Sequence, residues 1–231
     1  EVTRIEKMIS SWDPNSQTSA INKNAGISPV KVDQELFDLI TRSIHISKLT
    51  NGAFDISYAS MDRIWKFDGS MTTMPDPAIV QRAASKIDYR NIELDATNNT
   101  VFLKAEGMKI GFGAIGKGYA AQMAKAKMEA LGIQNGVVNA SGDLVAWGKQ
   151  ENGKPFKVGI ADPLNKTQMM SWLNIENGAI VTSGDYEAFV MLDGKRYAHI
   201  IDPRTGYPTT GIKSVTIICP NPELADALAT S

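Results

Sequence analysis

The sequence predicts an α+β fold with closely joined layers. Helical spacing of apolar residues dominates the N-terminal half, and short β-branched runs broken by Gly, Asn and Asp dominate the C-terminal half. Between them a glycine-rich turn, Lys109-Ile-Gly-Phe-Gly-Ala-Ile-Gly-Lys-Gly-Tyr119, joins an apolar strand-like run (Val101–Leu103) to a helix-like one. The length allows one large domain or two small ones, and layers that read as intimately joined favour one spanning residues 1–231.

The elements follow in order. Val2, Ile5, Met8 and Ile9 share a helical face, and Trp12-Asp-Pro-Asn-Ser16 ends that helix. Ser16 to Asn22 reads as a polar connection or short turn. Asp33 opens a helix with Leu36, Phe37, Ile40 and Ile44 on one side, closing near Thr50-Asn-Gly52. Asp76-Pro77 opens another, ending near Lys86. Residues 92–104 read as a hairpin turning at Asp95–Asn99, and a helix follows from Tyr119 to Leu131. Strands are then expected at Gly136–Asn139, Leu144–Trp147, Phe156–Ile160, Trp172–Ile175, Ala179–Thr182, Glu187–Leu192, Arg196–Ile201 and Val215–Cys219. Asp193-Gly194 marks a hairpin turn. Asn221 and Pro222 suit the start of a last helix. That helix stops soon after it begins and the chain starts at Glu1, so both ends read as truncated, and a processed, exported chain would look the same.

Composition narrows the function. Of 231 residues 43% are hydrophobic and 21% charged, with a net charge of −1, which is ordinary for a soluble globular protein. Without a basic block, nucleic acid is not expected as a partner. No apolar run approaches the roughly 18 residues of a membrane span. The single cysteine, Cys219, cannot form an internal disulfide, and within a strand-like run it reads as a buried, inert thiol.

Four stretches could carry chemistry. In the glycine-rich turn, Gly111, Gly113, Gly116 and Gly118 precede a helix N-terminus, whose N–H groups suit a phosphate, and Lys117 adds a charge. A tight strand–helix turn packed on a sheet accounts for the glycines equally well. The dinucleotide fingerprint fails, because it needs an acid about 20 residues on, and Leu131 stands there. The P-loop fails because Gly118 follows Lys117 where Ser or Thr is required. In Ala198-His-Ile-Ile-Asp-Pro-Arg-Thr-Gly-Tyr-Pro208, His199, Asp202 and Arg204 crowd a strand end, as functional or as turn-forming residues. The other histidine, His45, reads as a structural helix residue. Asp226 and Thr230, at i and i+4, share a helix face whose oxygens suit a hard cation such as Mg²⁺, or simply face solvent. Asn51-Gly-Ala-Phe-Asp55 places an acid and an aromatic beside a turn, where Asp55 could equally be a cap. Ser183-Gly-Asp-Tyr186 lacks the glycines of a nucleophile elbow and reads as a turn.

Together these stretches resemble the ApbE family of flavin transferases, which move FMN from FAD onto a protein threonine. The similarity runs in order through Ser11-Trp-Asp-Pro-Asn-Ser16 with Asn22, Gly52-Ala-Phe-Asp55, Gly113-Ala-Ile-Gly-Lys-Gly-Tyr119, Asn139-Ala-Ser-Gly-Asp143, Ser183-Gly-Asp-Tyr186, His199-Ile-Ile-Asp-Pro-Arg-Thr-Gly206 and Ala225-Asp-Ala-Leu-Ala-Thr230. The resemblance implies a T-fold-related arrangement of helices and antiparallel sheets around an FAD cleft beside a Mg²⁺ site. Ala114 would offer its carbonyl to the metal, and Asp226 and Thr230 their side-chain oxygens. Trp12, Ala53, Phe54, Asp55, Gly111, Lys117 and Ile201 fall at FAD-contacting positions. The chain departs from the family where Gly111 and Ala229 replace acids and Ser141 replaces a glycine. A Met-Gly-Thr strand that precedes this chain in the family is missing, as is the tail after the last helix.

The implied reaction is attack of an acceptor threonine on the FMN phosphorus of FAD, with AMP leaving. His199 is the candidate base or proton shuttle, because imidazole ordinarily titrates near neutrality, and Asp202 is the candidate to orient it or the metal's waters. Lys117 would steady the pyrophosphate or the departing phosphate. A Mg²⁺-dependent FAD pyrophosphatase and a non-catalytic flavin-binding protein are the alternatives. The family also implies an acceptor among respiratory ion-pump subunits or similar flavoproteins. It further implies a location outside the cytoplasmic membrane, with attachment through an N-terminal anchor missing from this chain.

Overall fold

A computed structural model describes residues 1–165, 167–184 and 188–231. The chain divides into two compact units that interleave in sequence. The first unit is built mainly from Thr3–Phe112 and returns for Ala188–Thr210; the second runs from Gly113 onward and again from Gly211 to Thr230.

In the first unit, α1 (Val2–Ile9) buries Ile5 and Met8 of the four apolar residues on its expected face, while Ile9 is half-buried and Val2 exposed. The expected polar connection is instead a helix, α2 (Gln17–Lys23). Ser16 caps it, its Oγ accepting the Ser19 N–H at 2.9 Å, and the buried Thr18 hydroxyl donates to the Met8 carbonyl at 3.1 Å. Polar residues thus fill a face that a hydrophobic periodicity search overlooks. The short β1 (Val30–Lys31) precedes α3 (Gln34–Leu49), which buries Leu36, Phe37, Leu39 and Ile40. Asp33 stands at the N-cap of α3 but accepts no capping bond; its carboxylate takes the Gln17 side-chain amide at 2.6 Å. Asn51 and Gly52, both at positive φ, close α3, with the Gly52 N–H reaching back to the Ser47 carbonyl. A 3₁₀ turn (Ile56–Ser60) and α4 (Pro77–Ala84) follow, the latter capped by Asp76. The hairpin at 92–104 is β2 (Ile92–Asp95) against β3 (Thr100–Leu103), with β1 added on β3.

The second unit opens with α5 (Gly116–Ala130). It continues with β4 (Gly136–Ala140), β5 (Asp143–Trp147), β6 (Phe156–Ala161), β7 (Met169–Ile175) and β8 (Gly178–Gly184). The chain then gives the first unit the hairpin β9 (Phe189–Leu192) and β10 (Lys195–Ala198), turning at Asp193-Gly194. Val190 and Leu192 of β9 pack with Met61, Trp65, Val80 and Ala83 in one apolar core. Back in the second unit, β11 (Ser214–Cys219) and α6 (Pro222–Thr230) complete an antiparallel sheet of order β11-β8-β5-β4. Strand alternation gives this sheet two faces. Val145, Ala179 and Val181 meet Ala121 of α5 and Ala225 and Ala229 of α6 on one side. Ala146 and Ile180 meet the β6–β7 hairpin on the other. Cys219 is half-buried, not buried, and its thiol donates to the Asn221 carbonyl. Asn221 also caps α6, its Oδ1 accepting the Leu224 N–H at 3.0 Å.

Candidate active site

In the second unit four of the sequence's candidates gather where α5 begins and β5 begins. Asp143 opens β5 two residues before Val145, so alternation turns its side chain to the face covered by helices. It is fully buried. Lys117, in the first turn of α5, brings its ammonium to 3.1 Å from Asp143 Oδ1. The Gly118 N–H, also in that turn, donates to Asp226 Oδ2 of α6 at 2.9 Å. A helix N-terminal amide offered by the sequence to a phosphate is thus taken by a carboxylate, an anion that the same dipole favours. Gly118 is glycine for packing: a Cβ there would lie 2.2 Å from the Pro222 carbonyl oxygen. Burial first, and the Asp143 charge second, push the Asp226 carboxyl up to about 7, against partial relief from the Gly118 N–H and Lys117.

Thr230 lies one helical turn beyond Asp226. Its hydroxyl donates to the Asp226 carbonyl at 3.1 Å and lies 3.0 Å from the Ser183 hydroxyl. Ala114 sits in the turn just before α5, half-buried, and Ala229 is packed in the apolar cluster. The donor set of Asp143, Asp226, Thr230 and Ser183 is all oxygen, which suits a hard divalent cation. One observation favours such a group: Asp143 Oδ2 is buried and has no hydrogen-bond partner among the described residues.

The first unit holds the other candidates. Phe54 is buried, Ala53 half-buried, and the Phe54 N–H donates to Thr50 Oγ1 at 3.1 Å. Asp55 is buried and caps the 3₁₀ turn. One carboxylate oxygen accepts from the Ser57 N–H and hydroxyl at 2.7 Å each, the other from the Tyr89 N–H at 2.9 Å. Burial pushes its carboxyl above the usual range despite those bonds. These bonds make Asp55 the cap of that turn. Trp12 is 76% exposed, with the Arg63 guanidinium 4.3 Å from its ring centre. Gly111 is half-buried, and a Cβ there would press on Ala59 at 3.2 Å. Ile201 forms an isolated bridge with Pro208.

His199 follows β10 directly. Its Nδ1 lies 3.2 Å from the Ala188 carbonyl oxygen, and Phe67 meets its ring edge-on at 6.5 Å between centres. A protonated Nδ1 donating to that carbonyl leaves Nε2 with the lone pair. Asp202 does not orient His199 in this arrangement. Both its oxygens accept from Arg204, at 2.7 to 2.9 Å, which holds the carboxyl below its usual range. Those bonds shape the turn at Pro203–Gly206, while the imidazole Nδ1 meets the Ala188 carbonyl. His45 is exposed on α3. Asp185 and Tyr186 of the Ser183–Tyr186 stretch lie outside the described residues.

Sequence reasoning quoted Asp143 and Ser183 only as parts of motifs and gave neither a role. The available signal was an acid leading an apolar strand, Asp143-Leu-Val-Ala-Trp147, at the parity of its buried positions. Phe67 and Arg63 carried no comparable mark.

The ApbE family model matches residues 1–231. An FAD:protein FMN transferase of Treponema pallidum is 32% identical over 98% of this chain and 67% of its own length. One from Klebsiella pneumoniae is 31% identical over 96% of this chain and 65% of its own. The chain therefore spans about two thirds of these curated relatives, by 67% and 65%. The crystal structure of the ApbE protein from Thermotoga maritima superposes with a TM-score of 0.89 at 35% identity, over 98% of this chain and 74% of that one. With its oxygen-lined group on α5, β5 and α6 and a match that runs from end to end, the chain belongs to the ApbE family.

Proposed function

We propose that the protein transfers FMN from FAD to a threonine hydroxyl of an acceptor flavoprotein, in a Mg²⁺-dependent reaction that releases AMP. The observation that carries this reading is the buried Asp143–Asp226 pair beside Lys117 in a chain whose relatives are named FAD:protein FMN transferases. Asp226, Thr230 and the Ala114 carbonyl would hold Mg²⁺. When bound, the ion would neutralise charge on the pyrophosphate of FAD. Lys117, whose side chain is 45% exposed, can turn its ammonium toward the same phosphates.

In the transfer, the threonine Oγ forms a bond to the FMN phosphorus. The bond from that phosphorus to the bridging oxygen breaks, and AMP leaves with the bridging oxygen. The hydroxyl proton passes to His199 Nε2, the nitrogen left with a lone pair when Nδ1 donates to the Ala188 carbonyl. Phe67 edge-on to the ring and the Ala188 carbonyl at Nδ1 limit how the imidazole can turn. Trp12, Ala53, Phe54, Asp55, Gly111, Lys117 and Ile201 are the positions assigned to FAD by resemblance, and Asp55 also caps the turn that follows it. On the same resemblance the acceptor is a respiratory flavoprotein subunit and the enzyme works outside the cytoplasmic membrane. Among the described residues, no helix is long and apolar enough to cross a membrane.

Mass spectrometry after incubation with FAD, Mg²⁺ and a threonine-bearing acceptor domain tests the reading. An acceptor heavier by one FMN, and unlabelled when Asp226→Ala replaces the wild type, is the expected result. Free FMN and AMP with an unlabelled acceptor would make water the acceptor and the protein a pyrophosphatase. FAD recovered intact would overturn catalysis altogether.

A further inference from the structure

We infer that Asp143 is a further residue of the divalent-cation site, supplying a second carboxylate beside Asp226. The inference rests on the Mg²⁺ reading above and adds a residue that the family resemblance did not assign to the metal.

The ground is burial and charge. Asp143 is 0% exposed and Asp226 1%. Asp143 Oδ1 faces one ammonium, that of Lys117, while Oδ2 has no hydrogen-bond partner among the described residues. The second carboxylate meets the same turn of α5: Asp226 accepts the N–H of Gly118, the residue next to Lys117. A buried carboxylate oxygen without a donor is costly, and a like charge next to it adds to that cost. Lys117 counters one of the two charges, and only with a side chain that is 45% exposed. An ion with two positive charges and an appetite for carboxylate oxygen would answer both deficits at once.

Placement agrees. Asp143 pairs in register with Val181 of β8, two residues from Ser183, whose hydroxyl meets that of Thr230. The two carboxylates and the two hydroxyls therefore share one end of the helix-covered sheet face.

The test measures cation binding on the protein alone. Mg²⁺ affinity by calorimetry and Mn²⁺ affinity by electron paramagnetic resonance are compared for the wild type, Asp143→Asn and Lys117→Met. Asparagine keeps the shape of Asp143 and removes its charge, so affinity should fall at least ~10-fold. Lys117→Met removes the competing ammonium, so affinity should hold or rise. Unchanged affinity in Asp143→Asn overturns the inference, as does a wild type that binds neither ion. Equal weakening in both variants overturns it too, because Asp143 would then act only through Lys117. If Asp143→Asn fails to fold, Lys117→Met decides: equal or tighter binding supports the inference and weaker binding sinks it. FAD and acceptor are absent throughout. A protein that binds cations through Asp143 yet moves no FMN would defeat the proposed function and leave this inference standing.

Discussion

At the scale of single residues, the charge of Asp226 sets a measurable pH dependence. Its folded-state pKa is pushed up to about 7 from an ordinary value of 3.8, mainly by burial. Between those values the folded protein holds a proton that the unfolded chain has released. The associated stability is fully present below the unfolded pKa and is lost as pH rises through the folded one. Chelator-treated protein should therefore lose on the order of 4 kcal/mol from this group between about pH 4 and pH 7. Urea titrations across that range should show the decline, and Asp226→Asn should flatten it; a decline of equal size in the variant would assign it elsewhere. His199 gives a second expectation. A general base contributes roughly 10²- to 10⁴-fold, so His199→Ala should slow FMN transfer by at least about 10²-fold with FAD affinity little changed. A variant keeping the full transfer rate would remove the base assignment. Residues whose placement follows from type and spacing were legible in the sequence: Asp226 and Thr230 one turn apart on a helix, Lys117 at a helix start, and His199 at a strand end. Asp202 was not, because an Asp two residues before Arg can serve a neighbouring imidazole or its own turn. The choice here, two bonds to the arginine side chain and one to its backbone, is settled by backbone conformation that sequence spacing does not specify.

At the scale of elements, the glycine-rich turn separates two kinds of glycine that look alike in sequence. Gly118 meets the N-terminus of α6, where a Cβ would sit 2.2 Å from the Pro222 carbonyl oxygen and 2.8 Å from the Asp226 Cβ. Backbone cannot yield as a flexible side chain can, so Gly118→Ala must part α5 from α6. A cost of about 3 kcal/mol or more is expected, with loss of the Gly118–Asp226 bond. Gly113 has nothing within 4 Å of its added Cβ and an ordinary φ, so Gly113→Ala should stay within about 0.5 kcal/mol. Equal denaturation midpoints for the two variants would contradict this packing account of the turn. The same contrast explains which elements could be read in advance. Helices with an apolar stripe (α1, α3) and hairpins with turn chemistry (β2–β3, β9–β10) were legible because burial and sequence period coincide. The helix α2 was not, because Thr18 and Ser19 are buried through hydrogen bonds to backbone carbonyls. Nor was β1, whose two residues are too few to show a period.

At the scale of the whole molecule, sequence order and packing part company: the stretch bearing His199 leaves the second unit's run of strands and joins the first unit's core. That division predicts how binding should register along the chain. The residues proposed for the cation, Ala114, Asp143, Asp226 and Thr230, all belong to the second unit. The 53–55 loop and His199 belong to the first. A ligand that binds only the folded form stabilises by about 2.7 kcal/mol at a concentration 100 times its Kd, which slows exchange of amides exposed by opening of the structure it holds. Mg²⁺ alone should therefore slow hydrogen exchange by up to about 100-fold at the start of α5, the start of β5 and along α6. Amides at 52–55 and 199–202 should be unaffected by the ion and should slow only when FAD is added with it. Slowing of 52–55 by Mg²⁺ alone would place cation-binding residues in the first unit, against the assignment of Asp143 and Asp226. No slowing at 52–55 or 199–202 with FAD present would separate those loops from the flavin and remove the basis for His199 as its base.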